Sequence, residues 1–184
     1  MKKDTKFGHW VRVAPLTDYK LERYTRPRFV AGVQTPENLD GLTMGQLIEL
    51  STLGDTNESF FTVCHIVLHL ERAQVEEARA VDVVRFVGWV TGEADRINKL
   101  FNGTETKPTK EEEQAGIKEL RFGLFGMLDW YAKRMRIQDH DAVLEVPWMR
   151  VWRCLEIDNK TNNFQKRLQE VFNEEYRRKN QRNS

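Results

Sequence analysis

The chain has 184 residues, enough for one domain with a real hydrophobic core. Hydrophobic residues make up 40% and charged residues 31%, while prolines number only five and glycines eleven, too few for the frequent turns of a β-sandwich or barrel. The net charge of +1 hides an uneven distribution: residues 1–35 carry +5, residues 160–184 carry +4, and the segment between them carries −8.

Two basic ends therefore flank an acidic middle. At the C-terminus the cations Arg177, Arg178 and Lys179 suit the negative end of a helix dipole. At the N-terminus two readings stand: a grip on an anionic partner, or an arm folded back on the acidic middle. Cys64 and Cys154 are far apart in sequence, make no Cys-x-x-Cys pair, and fit a reducing compartment. Met1-Lys2-Lys3 is followed by Asp4 rather than an apolar run, so no signal peptide is expected. The longest apolar stretch, residues 60–70, is broken by His65 and His69 and is too short to span a bilayer. A soluble protein is the expectation.

Residues 1–41 read as an extended arm. Pro15, Pro27 and Pro36 punctuate it, and each disfavours helix in the residue before it. Trp10-Val11-Arg12-Val13 and Arg28-Phe29-Val30-Ala31 look like short extended pieces. The aromatics Trp10, Tyr19, Tyr24 and Phe29 alternate with Arg12, Arg23, Arg26 and Arg28. Such interleaving can stack single-stranded nucleic acid, but it equally suits contact with protein, which is the commoner use. Trp10, Arg12, Tyr24, Arg26, Arg28 and Phe29 are accordingly candidate partner-binding residues, and nucleic acid is not the expected partner.

From Thr43 onward the signals are helical, predicting an all-α domain over residues 42–180 and a frayed tail at 181–184. Thr43 caps a helix through Leu53, with Met44, Leu47, Ile48 and Leu50 on its apolar side and Gly54 as its stop. Residues 60–70 read as a buried helix entered through Asp55, Thr56 and Asn57. In residues 80–101, Val83, Val87, Val90, Ala94, Ile97 and Phe101 recur at spacings of four and three and form one seam. A polar loop at 102–109 ends in Thr109, an N-cap followed by Glu111, Glu112 and Glu113 at the anion-favouring first turn.

Leu124, Leu128, Tyr131 and Met135 make the next helical seam, with Gly116, Gly123 and Gly126 weakening the approach to it. A short helix capped by Asp139 follows. Pro147 then fits the first position of a helix on which Trp148, Val151, Trp152 and Leu155 form an aromatic stripe. Trp148 and Trp152 are candidate partner-binding residues if that stripe is exposed. A separate last helix over about 161–179 is expected to bury Phe164, Leu168, Val171 and Phe172.

Chemistry is sparse. His65 and His69 stand one helical turn apart beside Cys64, a spacing at which two imidazoles can share a zinc ion, with His140 as a distant third ligand. The Glu that usually follows the first His of a helical metalloprotease motif is replaced by Ile66. Packing of both histidines at the edge of an apolar helix is the preferred reading, so no metal or cofactor is expected. Neither a Gly-rich phosphate loop nor a Gly-x-Ser-x-Gly elbow is present, and the acidic pairs fall at surface or cap positions. A non-enzymatic binding protein is the expectation. Residues 132–155 can also be read as a helix–turn–helix presenting Arg150 and Arg153, but Asp139, Asp141, Glu145 and Glu156 around them would repel phosphate.

The run Trp130-Tyr131-Ala132-Lys133-Arg134-Met135, with Ile137, Val143, Leu144, Val146-Pro147-Trp148 and Leu155, resembles the C-terminal half of tail-assembly chaperones from tailed bacteriophages. Leu42-Thr43-Met44-Gly45-Gln46-Leu47-Ile48-Glu49-Leu50 is similar to a helix start in phage proteins of this kind. The resemblance covers about a third of the chain. It implies a helical protein of the host cytoplasm that shields the tape-measure protein and recruits tail-tube subunits during virion assembly, without catalysis. The basic, aromatic arm instead suits a structural neck or tail-ring component of the virion that oligomerises by lacing neighbouring subunits together.

Overall fold

The structure is a computed structural model, and it describes residues 4–13, 25–54, 56–104, 108–120 and 122–182. Among the described residues the fold is all-α apart from one two-stranded hairpin. The first helix, α1 (Phe7–Val13), corrects the expectation of an extended piece at Trp10–Val13. Phe7, Trp10 and Val11 fall at i, i+3 and i+4, the spacing that gathers side chains on one helix face, and all three are buried in the common core. The segment is locked by backbone as well: Phe7 N–H donates to Ala78 O and Ala80 N–H to Thr5 O, both at 2.8 Å. Gly8 lies against Glu76 so closely that a Cβ would sit 2.9 Å from the Glu76 Cβ.

The second expected extended piece is a strand. β1 (Phe29–Val30) pairs antiparallel with β2 (Val33–Gln34) around a two-residue turn. Ala31 and Gly32 both take positive φ, at 48° and 80°, as the tight hairpin turns require. Val30 is buried in the common core, and the buried Thr35 closes the base of the hairpin by donating its Oγ1–H to Pro27 O.

α2 (Met44–Thr52) starts at the predicted cap, where Thr43 and Gln46 form a reciprocal capping box. α3 (Asn57–Leu68) follows, then α4 (Arg72–Glu77) and the long α5 (Ala80–Asn102). Val83, Val87, Val90, Ala94 and Ile97 are all buried along the seam of α5. Phe7 of α1 meets Phe60 and Phe61 of α3 at ring-centroid distances of 5.3 and 5.5 Å.

α6 (Lys110–Gln114) has the expected Thr109 cap, closed by Glu112, and leads through a 3-10 turn (Ile117–Leu120) into α7 (Gly123–Met135). Only the middle of the α7 seam is interior: Leu128 and Tyr131 are buried, whereas Leu124 and Met135 are exposed. α8 (Asp141–Leu144) is a single turn begun by His140, with Asp139 Oδ1 accepting from Asp141 N–H at 2.9 Å. Met44 N–H donates to Val146 O and Trp148 N–H to Leu42 O, so the start of α2 is stitched to the residues flanking Pro147.

α9 runs unbroken for 35 residues, Trp148–Arg182. The separate last helix therefore does not exist, and the burial expected for it is overturned. Phe164, Leu168, Val171 and Phe172 are exposed, and every residue from 161 to 181 is exposed. The physical reason is that residues 156–160 contain neither Gly nor Pro, so nothing turns the chain back to the body.

Candidate partner-binding surfaces

The tryptophans expected on a binding stripe are structural. Trp148 is fully buried, packs 6.1 Å from Phe101, and donates its Nε1–H to Leu39 O at 2.8 Å. Trp152 is half-buried, donates to Leu100 O at 3.2 Å, and carries the Arg153 guanidinium 4.6 Å above its ring. Both anchor the root of α9 to α5, and Trp148 presents no surface to a partner.

The arm residues divide. Trp10 belongs to the core, Arg12 is exposed on α1, and Tyr24 lies outside the described residues. Arg26, Arg28 and Phe29 do come together, on one rim of an open cleft of about 650 Å³ whose other wall holds Arg79, Asp82 and Arg85. Much of its positive charge is already engaged. Arg79 grips Asp82 through two hydrogen bonds of 2.8 and 3.1 Å, Arg26 donates to Thr35 O at 3.1 Å, and the Arg28 guanidinium lies 5.5 Å from the Phe29 ring centroid.

The histidines do not converge. His69 is the left-handed C-cap of α3, with φ 54°, so it leaves the helical face that carries His65. The His65 Nδ1 contacts Leu70 O at 3.3 Å, and His140 pairs with Asp129 at 3.3 Å on another part of the molecule. Cys64 faces the interior, where burial pushes its thiol up to about 12. The Asp129 carboxyl is held below its ordinary value by the Lys133 ammonium, then by His140. Among the described residues no three His, Cys, Asp or Glu side chains gather as metal ligands, and every buried side-chain N or O atom has a hydrogen-bond partner.

What sequence reasoning missed is apolar surface. Between α6, α7 and α9 lies a groove of about 680 Å³, walled by Phe101, Ile117, Leu124, Met127, Trp130 and Leu155. Leu120 in its lining and Phe122, which lies against Gly126 of the lining, are each 65% exposed, whereas Phe125, 63% exposed, faces His140 with ring centroids 5.1 Å apart. A second surface runs along α9, where Ile157, Phe164, Leu168, Val171, Phe172 and Tyr176 are 40–67% exposed. The stripe's spacing was legible in the sequence. Its exposure was not, because periodicity shows which residues share a face but not what covers that face.

No protein-family model, curated protein or solved structure matches this chain. Its chemistry has to be read from these surfaces. Exposed aromatic and branched side chains in contiguous patches are the mark of contact with another macromolecule. No helix among the described residues is long and apolar enough to cross a membrane.

Proposed function

We propose that the chain is a non-catalytic protein-binding factor of phage virion assembly, similar in role to a tail-assembly chaperone. The observation that carries this reading is the apolar groove between α6, α7 and α9 with Leu120 and Phe122 open at its edge. A chaperone of this kind has to cover apolar segments of a client until assembly proceeds. A shallow groove edged by exposed apolar side chains supplies contact area for that without demanding one client shape. The expected client is the tape-measure protein, with tail-tube subunits recruited to the same complex in the host cytoplasm.

The packing of α1 favours this reading over the structural alternative. A lacing arm has to leave its own body, whereas Phe7, Trp10 and Val11 are buried in theirs. The DNA-binding alternative is disfavoured by the engagement of Arg153, which Glu156 holds at 3.0 Å.

Two measurements test the proposal. On co-expression with the tape-measure protein of the same phage, the two should co-purify, and L120S/F122S should lose the complex while keeping its helical circular dichroism. Mass spectrometry of mature particles should find the chain absent. Its presence there in many copies would establish the structural neck or tail role instead.

A further inference from the structure

We infer that the exposed stripe of α9 is a self-association surface, on which a second copy of this chain lies parallel and in register. This stands independently of the client reading above. The stripe faces away from the body. At about 100° per residue, Ile157, Phe164, Leu168, Val171 and Phe172 share an arc of about 100°. Trp148, Trp152, Leu155, Asn159 and Lys166 project from the opposite side. Those are the residues that meet the body: Trp152 reaches Leu100 O, Asn159 donates to Thr104 O at 2.6 Å, and Lys166 pairs with Glu112 at 2.7 Å. A second helix can therefore lie along the whole stripe with both bodies outside the pair.

The sequence of α9 fits its own copy. Ile157, Thr161, Phe164, Leu168 and Val171 step by four, three, four and three, the alternation of a coiled-coil seam. In that frame Arg153, Lys160, Arg167 and Glu174 flank one side of the seam, and Asp158, Gln165, Phe172 and Lys179 flank the other. In a parallel, in-register pair each of the first set meets the residue five positions on in its partner. Glu174 then meets Lys179, Lys160 meets Gln165, and the stem of Arg167 covers the Phe172 ring, while Arg153 and Asp158 keep their own partners Glu156 and Arg134. No like charges meet among these pairs. The antiparallel arrangement about the same stripe sets Arg167 against its own copy. The seam ends before Glu175, which would face itself.

Magnitudes make this association weak. The stripe offers about 500 Å² per copy, less than the roughly 800 Å² of a standard stable interface, which puts it among weak, transient contacts. The +4 on residues 160–184 opposes pairing when unscreened. Self-association should therefore tighten as salt rises from about 50 to about 500 mM, whereas docking of an acidic partner helix would weaken.

Sedimentation velocity on the full chain, from about 1 to about 200 µM, should show a reversible monomer–dimer equilibrium with that salt dependence. Leu168→Glu should shift the dissociation constant at least tenfold weaker while leaving the helical circular dichroism and thermal midpoint of dilute protein unchanged. In a Cys154→Ser background, Thr161→Cys should form an intermolecular disulfide under a mild oxidant, because only the parallel register sets the two Thr161 positions opposite each other. A monomer throughout the concentration range, a dimer indifferent to Leu168→Glu, or failure of Thr161→Cys to cross-link would each overturn the inference.

Discussion

The indole Nε1–H of Trp148 donates to the main-chain oxygen of Leu39 at 2.8 Å, joining residues 109 positions apart. This contact fixes the root of α9 to the segment before α2, inside the core. Trp148→Ala should lower unfolding free energy by about 3–5 kcal/mol, the range for removing a buried aromatic. Trp148→Phe keeps most of the apolar area and removes the donor. Leu39 O still accepts from Leu42 N–H at 3.2 Å, so this second variant should cost only about 1 kcal/mol. Urea denaturation of the two variants measures the difference, and equal losses would mean the hydrogen bond carries the anchoring.

α1 supplies a sharper test, because its segment reads in the sequence as part of an extended arm and in the fold belongs to the core. Phe7 is fully buried between Trp10, Phe60 and Phe61, so Phe7→Ala should cost about 3–5 kcal/mol. Removing residues 1–13 should cost at least as much. A truncated chain with an unshifted denaturation midpoint would restore the arm reading.

That difference shows where the sequence was legible. Helices with a cap at one end and a seam within, such as α2 behind Thr43 and α5 along Val83 to Ile97, were read nearly to the residue. Each carries its own start signal and its own period. α1 is only seven residues long, and Trp10-Val11-Arg12-Val13 is rich in residues that favour strands. Its helix depends on the Phe60 and Phe61 rings, which no local pattern reveals. The same limit explains Trp148 and Phe164. Both sit on apolar stripes of one helix, yet one is enclosed by the body and the other lies beyond it. Burial depends on where the rest of the chain ends up.

The cysteines should separate by reactivity. Cys154 is half-buried, whereas Cys64 is fully buried with its thiol raised to about 12. Thiolate is the reacting form, so at pH 8 a thiol reagent should modify Cys154 first and reach Cys64 only on unfolding. The linkage has a definite sign. Because the folded protein keeps the Cys64 proton, this contribution to stability is present below the unfolded thiol value. It is lost as pH rises from about 9 toward 12. Rapid labelling of both thiols in native buffer would contradict the packing around α3.

The tie between α9 and α6 should respond to acid. Lys166, then the Thr109 backbone N–H, hold the Glu112 carboxyl below its ordinary value. A depressed carboxylate stabilises the fold above the unfolded value, near 4.3, and that contribution is lost as pH falls through the folded value. Carbon-13 NMR of the side-chain carboxyl should find the Glu112 inflection below that of an ordinary glutamate, and Lys166→Ala should move it upward. An unmoved inflection would remove Lys166 as the cause.

Beyond Lys166, α9 contributes little to the stability of the single copy. Residues 167–181 are all exposed, and loss of exposed side chains without tertiary partners changes stability by about 0.5 kcal/mol or less. A chain ending at Gln169 keeps the Lys166–Glu112 pair and should melt within about 2 °C of the full chain when both are dilute, near 1 µM. At high concentration the two should separate. Association of native copies adds stability by mass action, so the midpoint of the full chain should rise with concentration while that of the shortened chain stays constant. Differential scanning calorimetry at two concentrations reads both effects. A lower midpoint for the shortened chain even when dilute would place the distal helix in the stability of the body rather than on a docking surface.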